Sequence, residues 1–186
     1  MNHIRNERVS SIDIVRYNLD LDLLSPVMDY IDQAQFNVGQ LCQSKDNHIH
    51  HRFIDLFAEI QSCLDHYHML YQYDCDRILP TISWINVSLP DQSHPVHNHP
   101  NSLVSGILYL NTCTPTHFIA PAGNTGIVVA NNRPQEYECQ ATEGDLVLFP
   151  SYLDHYTLPG LDRYTLSFNT MPVGTVNKGT LNEHTY

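Results

Sequence analysis

The stretch DLVLFPSYLDHYTLPGLDRYTLSFN, residues 145–169, decides the fold class of this sequence. It holds three short runs with strand character, DLVLFP, HYTL and RYTLSFN. Residues that favour turns, among them Pro-Gly-Leu-Asp at 159–162, separate these runs. Short apolar runs bounded by such residues are typical of strands in an all-β core, so the stretch predicts a protein built around β-sheets.

The same pattern of short apolar runs separated by turn residues extends back along the chain to residue 81. Five more runs have the character of strands, and turn residues again lie between them: TISWINVSL, LVSGILYLN, THFIA, TGIVVAN and EYECQA. Roughly eight short strands within about 90 residues predict a sandwich or barrel of the jelly-roll type, also called a double-stranded β-helix.

The residues before 81 have a helical pattern instead. A strong apolar stripe with helical spacing runs from Phe53 to Tyr67. Ser25 and Pro26 are predicted as the N-cap and first turn of an earlier helix, and SIDIVRYNL (11–19) alternates as a strand does. We therefore predict a mainly β protein with N-terminal helices, in which a jelly-roll core is flanked by two or more helices.

Length and composition predict a single domain over residues 1–186. The chain has 186 residues, 42% of them apolar, which suits one globular domain. The change from helical spacing to short strand-like runs predicts three parts within this domain. They are a helical N-terminal lobe (1–80), a jelly-roll core (81–172) and a C-terminal tail (173–186). The formal net charge of −11 disfavours nucleic acid and anionic membranes as partners.

Other features of the composition predict a cytoplasmic protein. No run of about 18 apolar residues could span a bilayer, and the first residues lack the continuous apolar segment of a signal peptide. The chain has five cysteines, an odd number, and no two of them form a CxxC pair. This disfavours a disulfide framework or a zinc ribbon. A jelly roll is expected to have exposed sheet edges. Two copies of the chain could pair along these edges, so a homodimer is possible.

Histidine is the unusual residue, because its twelve copies outnumber the nine lysines and arginines. His97 and His99 are two apart, so on a strand both imidazoles would point to the same face. His155 lies beside a later strand, and neighbouring jelly-roll strands could bring the three rings together. Neutral imidazoles suit Fe, Zn, Cu and Ni, so the set predicts a metal site. The alternative is that all three are ordinary polar residues near turns.

Arg163, Thr165 and Ser167 are predicted to share one face of the last strand, RYTLSFN. A guanidinium beside a hydroxyl is a good receptor for a carboxylate. Since an arginine inside a barrel is costly without an anionic partner, a ligand is one candidate for that partner. The alternative is a salt bridge with Asp154, Asp162 or a more distant acid.

Taken in order, these motifs resemble a known enzyme family. The set comprises W-x-N at 84–86, HNHP at 97–100, SGILYL at 105–110, GDLVLFP at 144–150, His155 and Arg163-x-Thr165. It is similar to the iron(II)- and 2-oxoglutarate-dependent oxygenases, and most similar to small members found in phages and marine bacteria. The resemblance covers residues 82–170, about half of the chain.

The resemblance implies a double-stranded β-helix that holds one Fe(II), with His97 and His155 as its first and last ligands. His99 stands where the superfamily normally has Asp or Glu, which implies a three-histidine centre. The rival interpretation makes His99 a neighbour of the ligands or a substrate contact, with water completing the coordination.

The resemblance also implies a site for 2-oxoglutarate, whose far carboxylate would meet Arg163 and Thr165. Tyr109 and Asn86 are candidates for further contacts with this cosubstrate, or are ordinary residues of the barrel interior. The expected reaction uses O2 to hydroxylate an unactivated C–H bond of a small molecule or peptide side chain, releasing succinate and CO2.

Two other functions stay open. A cupin-type metal-dependent dioxygenase or isomerase also uses HxH, and Pro150 and His155 meet the spacing of the second cupin motif. However, the glutamate that cupins place shortly after HxH is missing, and the cupin interpretation leaves Arg163 unexplained. The second alternative is a jelly-roll binding or structural protein without catalytic activity.

Two further groups of histidines have no assigned role. His48, His50 and His51 form a tight cluster before the second helix. They are interpreted as a solvated loop that leads into the helix, with a second metal site as the alternative. His94 lies three residues before His97, where it is expected to flank the substrate entrance.

Overall fold

The computed structural model describes residues 12–37, 42–120 and 136–176. Over these ranges the chain forms two α-helices, two short 3-10 helices and ten strands. The helices are α1 (Ser25–Ile31) and α2 (Ile54–Tyr71), and the 3-10 helices span Leu21–Leu23 and Ile49–His51. The strands are β1 (Val15–Asn18), β2 (Cys42–Gln43), β3 (Arg77–Ser88), β4 (His94–His97), β5 (Val104–Tyr109), β6 (Cys113–Ile119), β7 (Glu136–Ala141), β8 (Asp145–Pro150), β9 (Asp154–Thr157) and β10 (Arg163–Val173).

The strands form two antiparallel sheets. The larger sheet has the order β1-β8-β5-β10-β3-β2, and the smaller has the order β4-β9-β6-β7. Strands that are distant in the chain lie side by side, as the crossovers of a jelly roll require. The predicted fold class, a jelly-roll core flanked by helices, is confirmed. The predicted strand TGIVVAN lies outside the described residues.

Two apolar cores lie on opposite faces of the larger sheet. Because side chains alternate along a strand, β8 sends Leu146 and Leu148 into one core, and Val147 and Phe149 into the other. The first core contains the helices, and the second lies between the two sheets. Both faces of β8 are therefore covered, which explains why its sequence is an uninterrupted apolar run.

Helix α2 packs against the outer face of the larger sheet, as its apolar stripe predicted. Its buried residues belong to the first core, and the ring of Phe57 lies 5.9 Å from that of Phe168 on β10. The prediction that Ser25 caps α1 is wrong. The 3-10 helix Leu21–Leu23 runs directly into α1, so Leu24 occupies the N-cap position and Ser25 is already helical.

The residues before 81 also contribute strands to the larger sheet. β1 pairs with β8, and β2 pairs with β3. Strand β3 begins at Arg77 and β10 continues to Val173, so these strands extend past the predicted limits of the core at both ends. The division into lobe, core and tail stays a prediction. No helix within the described residues is both long enough and apolar enough to cross a membrane.

The glycine of the SGILYL motif has a packing role. A Cβ atom on Gly106 would lie 2.1 Å from Cζ of Phe168, so only a residue without a side chain fits opposite this ring. Gly106 and Phe168 are directly paired between β5 and β10. The close contact holds these central strands in register, and β10 carries part of the site described next.

Candidate metal and cosubstrate site

A cavity of about 260 Å³ lies between the two sheets. The larger sheet lines it with Trp84, Asn86, Ile107, Arg163, Thr165 and Ser167. The smaller sheet contributes His94, His97, Thr116, His155 and Thr157. His99 and Gln43 complete the lining. Most of the candidate site residues named from the sequence therefore line one cavity.

The rings of His97, His99 and His155 converge in this cavity. The centroid distances are 4.3 Å between His97 and His155, 5.1 Å between His99 and His155, and 5.4 Å between His97 and His99. One nitrogen from each ring lies within 4.8 Å of the other two. Three imidazoles in this arrangement can coordinate one transition-metal ion.

The prediction that strand alternation directs both His97 and His99 to one face is wrong. Strand β4 ends at His97, so strand alternation does not direct the ring of His99. His99 is held by a hydrogen bond from its backbone N–H to the carbonyl of Ser151, at 2.9 Å. His97 and His155 meet because they are directly paired between β4 and β9.

Backbone carbonyls orient two of the three rings. Nδ1 of His97 lies 2.8 Å from the carbonyl of Pro95, and Nδ1 of His155 lies 3.0 Å from that of Leu153. A carbonyl only accepts hydrogen bonds, so each Nδ1 carries the proton and each Nε2 keeps its lone pair. This is the tautomer that binds a metal through Nε2, and the carbonyl fixes the ring's orientation.

Burial keeps two rings of this group, those of His155 and His99, neutral. It lowers the pKa of His155 to about 3, with smaller contributions from the neighbouring imidazoles, and His155 is 4% exposed. Burial and the adjacent His97 lower the pKa of His99 to about 4. Neutral imidazole is the form that binds metals, so both rings have the required protonation state near pH 7.

Arg163 is buried at one wall of the cavity. Its Nη1 donates to the carbonyl of Thr114 at 2.7 Å, and its Nη2 donates to Oγ1 of Thr116 at 2.8 Å. The guanidinium also lies 5.0 Å from the centre of the Tyr109 ring. These contacts fix the position of the cation although its side chain is long and flexible.

No acidic side chain of the described residues forms a salt bridge with Arg163. The alternative pairing with Asp154 or Asp162 is therefore not formed, and Asp154 accepts a hydrogen bond from Asn98 instead. A buried cation without a carboxylate partner is costly, whereas an anionic ligand in the cavity would neutralise it. The guanidinium has five N–H donors, so donors remain for such a ligand.

Thr165 and Asn86 lie in the same wall as Arg163. The Asn86 amide donates to Oγ of Ser167 at 3.1 Å and lies 3.5 Å from Oγ1 of Thr165. Arg163, Thr165 and Ser167 all line the cavity, which confirms the prediction that they share one strand face. The amide thus links the two hydroxyls beside the cation.

Tyr109 is fully buried but is not among the residues that line the cavity. Its hydroxyl lies 2.7 Å from Oγ1 of Thr116, which also accepts a hydrogen bond from Arg163. Burial raises the pKa of Tyr109 to about 12, so the phenol stays neutral. The structure places Tyr109 in support of Arg163, and a direct contact with 2-oxoglutarate stays a prediction.

His94 lines the cavity, whereas the sequence predicted only that it flanks the substrate entrance. Its Nε2 lies 3.3 Å from Oγ of Ser88, and its backbone N–H donates to Oγ1 of Thr157. Burial and the nearby Arg163 lower the pKa of His94 to about 4, so the ring is neutral. It therefore adds a polar group to the wall without adding charge.

Sequence reasoning also missed Thr116, Thr157 and Gln43 as lining residues. Thr157 is two residues after His155 on β9, so strand alternation could have identified it. Thr116 and Gln43 lie on other strands, β6 and β2, whose positions beside the cavity depend on long-range pairing. No local pattern in the sequence indicates them.

Comparisons with known proteins agree with this geometry. Residues 82–169 match the family model described as "Putative 2OG-Fe(II) oxygenase". The matched range contains every lining residue except Gln43. The comparison with curated proteins gives no match.

Several solved structures share the fold. A prolyl-4-hydroxylase from Pseudomonas putida is 15% identical, with 87% of this chain and 93% of that chain covered and a TM-score of 0.57. HygX from Streptomyces hygroscopicus, solved with nickel and 2-oxoglutarate bound, is 11% identical, with coverages of 88% and 84% and a TM-score of 0.66. A prolyl hydroxylase from Trichoplax adhaerens, in complex with a hypoxia-inducible-factor peptide fragment, is 15% identical, with coverages of 86% and 83% and a TM-score of 0.61.

At sequence identities of 11–15%, similarity to these solved structures shows only that the fold is shared. The family match shows which enzymes have the same motifs. Neither the cupin alternative nor the non-catalytic alternative accounts for this match. The enzymes of the matched family use Fe(II) and 2-oxoglutarate, and the three histidines could hold the metal. Over residues 82–169, just under half of its length, this chain matches the iron(II)- and 2-oxoglutarate-dependent oxygenases.

Proposed function

We propose that this oxygenase hydroxylates an unactivated C–H bond of a small molecule or a peptide side chain. One observation carries the proposal: three convergent imidazoles line the same cavity as a buried guanidinium that has no carboxylate partner among the described residues. The first group suits a metal ion, and the second suits an anionic cosubstrate. Their combination is what a 2-oxoglutarate-dependent reaction needs.

In this proposal Nε2 of His97 and Nε2 of His155 bind Fe(II), and a ring nitrogen of His99 is the third ligand. The donor set fits the ion, because neutral imidazole suits iron and the three ligand atoms lie close together. Three neutral ligands leave the full charge of the ion in the cavity, where a carboxylate ligand would remove one unit. The third histidine therefore strengthens the attraction for an anionic cosubstrate.

Arg163 is proposed to bind the far carboxylate of 2-oxoglutarate, with Thr165 donating a second hydrogen bond. Thr114 and Thr116 hold the guanidinium in place, so little conformational entropy is lost on binding. When bound, iron and cosubstrate supply the O2-dependent oxidation that hydroxylates the substrate and releases succinate and CO2. The protein positions the reactants and excludes water from the cavity.

The size of the cavity supports this substrate class. A space of about 260 Å³ that also takes 2-oxoglutarate leaves room for a single side chain or a small molecule. Structural neighbours include proteins solved with a peptide fragment and with hygromycin B. Both substrate types are therefore kept in the proposal.

A spectroscopic titration tests the function directly. Under anaerobic conditions, Fe(II) and 2-oxoglutarate added to the whole chain should give the visible charge-transfer band of a chelated 2-oxo acid. Admission of O2 should then yield succinate, in an amount that rises with a suitable amino acid, peptide or metabolite. Bound iron without the band would indicate a cupin-like enzyme, and absence of both would indicate a binding protein.

Substitution of His99 tests whether it is a ligand. We expect His99→Asp to bind Fe(II) as well as the wild type or more tightly, because a carboxylate can replace the imidazole and adds a negative charge. His99→Ala should bind Fe(II) more weakly. Isothermal titration under anaerobic conditions measures both affinities. Equal affinity of wild type and His99→Ala would show that His99 does not coordinate the metal.

A further inference from the structure

A second cluster of histidines lies outside the oxygenase cavity, at the start of the segment that leads into α2. One nitrogen from each of His48, His50 and His51 lies within 4.8 Å of the other two, a limit that the oxygenase triad also meets. The ring centroids of His50 and His51 are 4.1 Å apart, and that of His48 lies 5.6 and 5.8 Å from them. In this segment, which was expected to be a solvated loop, His48 and His51 are exposed, His50 is half-buried, and the three rings lie close together.

Local backbone structure produces this group. Ile49–His51 form a 3-10 helix, and the His51 N–H donates to the carbonyl of His48 at 3.0 Å. Side chains three residues apart eclipse each other in a 3-10 helix, so His48 and His51 lie one above the other. Their rings are stacked, with an interplanar angle of 28°. Ile49 is fully buried and anchors the turn to the first core.

The protein also fixes the third ring. Oγ of Ser83 lies 2.7 Å from both the backbone nitrogen and Nδ1 of His50, and Ser83 is itself fully buried on β3. When Nδ1 donates to this oxygen, Nε2 of His50 keeps its lone pair. A hydroxyl in this position plays the part that backbone carbonyls play for His97 and His155, since it orients the ring and selects its tautomer.

The surroundings of His50 favour its neutral form. Burial and the neighbouring imidazoles of His51 and His48 lower the pKa of His50. The nearby carboxylate of Asp46 is already paired with Arg52. Each imidazole can offer one nitrogen lone pair, so a divalent cation can bind all three rings at once.

We propose that His48, His50 and His51 form a second metal site, which binds one divalent transition-metal ion of the Zn(II) type with three imidazole nitrogens and solvent. Two nitrogens on one tetrahedral zinc ion lie about 3.4 Å apart, since each Zn–N bond is about 2.1 Å. The exposed rings of His48 and His51 therefore need only small rotations to close the site.

The ion would act as a structural clamp on the wall of the oxygenase cavity. His48 forms a bridge with Ser83 on β3, and the same segment carries β2, an edge strand of only two residues. Gln43 on β2 lines the cavity. Trp84, the neighbour of Ser83, also lines the cavity, and its ring lies 5.8 Å from that of His99. A clamp at the histidine cluster would therefore hold β2 against β3.

Zinc titration of the metal-free full-length chain tests the proposal. We expect two equivalents of Zn(II) for the wild type and one for the double variant His48→Ala/His51→Ala. Both positions are exposed, so the variant should fold normally. His155→Ala should keep the surface equivalent. His66→Ala is the matched control, because His66 is exposed on α2, outside both clusters, and its loss should leave the stoichiometry unchanged.

The outcomes separate this site from the oxygenase cavity. If the double variant binds as many equivalents as the wild type, or if His66→Ala loses one as well, the surface site is overturned. A single wild-type equivalent that disappears only in His155→Ala also overturns it. A single equivalent that disappears only in the double variant supports the surface site and contradicts the ligand set proposed for the cavity.

Thermal unfolding gives an independent measurement of the clamp. In the His155→Ala background, saturating Zn(II) should raise Tm by at least about 2 °C, because an ion that binds only the folded state stabilises it. The same addition should leave Tm unchanged when His48 and His51 are also replaced by alanine. An equal rise of Tm in both proteins would show that zinc does not act through this cluster.

Discussion

Replacing His155 by alanine should abolish tight binding of Fe(II). His155 is the most deeply buried of the three convergent histidines, and its Nδ1 is oriented by the carbonyl of Leu153. Loss of a residue that only orients a ligand typically costs 10- to 100-fold in metal affinity, so loss of a ligand should cost more than about 100-fold. Anaerobic titration followed by metal analysis measures the change.

A buried substitution can also weaken the fold, so a second variant and a control are needed. The rings of Phe149 and Phe118 lie 4.9 and 5.7 Å from that of His155, and alanine would leave a gap between them. His155→Gln fills most of this volume and should lose iron as well. His117→Ala is the matched control, because His117 pairs with Tyr156 next to His155 but lies outside the triad. Normal iron binding by a well-folded His155→Gln would contradict ligation by His155.

Replacing Arg163 by alanine should leave Fe(II) bound but weaken 2-oxoglutarate roughly 10- to 100-fold. A hydrogen bond to a charged group contributes about 1.5–3 kcal/mol, and 1.4 kcal/mol corresponds to a factor of ten in affinity. Removal of the guanidinium also leaves the Thr114 carbonyl and the Thr116 hydroxyl without their donor. Titration of the Fe(II)-loaded protein with 2-oxoglutarate, followed through the visible band, gives the affinity.

A conservative substitution of Arg163 and a control substitution of a surface arginine help to interpret this result. Arg163→Lys keeps the charge but cannot bond Thr114 and Thr116 while also presenting a planar pair of donors, so an intermediate affinity is expected. Arg77→Ala removes an arginine whose salt bridge with Asp65 lies on the surface, and it should not change the affinity. If Arg163→Ala turns over 2-oxoglutarate normally, Arg163 does not bind the cosubstrate.

These two experiments probe different walls of one cavity. His155 lies on β9 of the smaller sheet, and Arg163 lies on β10 of the larger sheet. Iron loss in the first variant with cosubstrate loss in the second would show that each sheet carries one half of the site. Loss of iron in both variants would indicate that removal of Arg163 collapses the cavity instead.

Local patterns in the sequence were enough to predict the fold class and much of the chemistry. Apolar runs and turn residues located most strands of the described chain, because a strand that is covered on both faces must be apolar throughout its length. Strand alternation correctly placed Arg163, Thr165 and Ser167 on one face of β10. Period-two alternation depends only on neighbouring residues, so the sequence alone determines it.

Contacts between distant segments decided the rest. His99 enters the cavity because its backbone bonds to Ser151, and Thr116 meets Arg163 because β6 is placed beside it by long-range pairing. The cluster of His48, His50 and His51 depends on Ser83, more than thirty residues away. Such positions follow from hydrogen bonds and packing that form only when the chain folds. The sequence by itself therefore determined which chemical groups are present and which strands carry them, and the tertiary structure decided which of these groups meet.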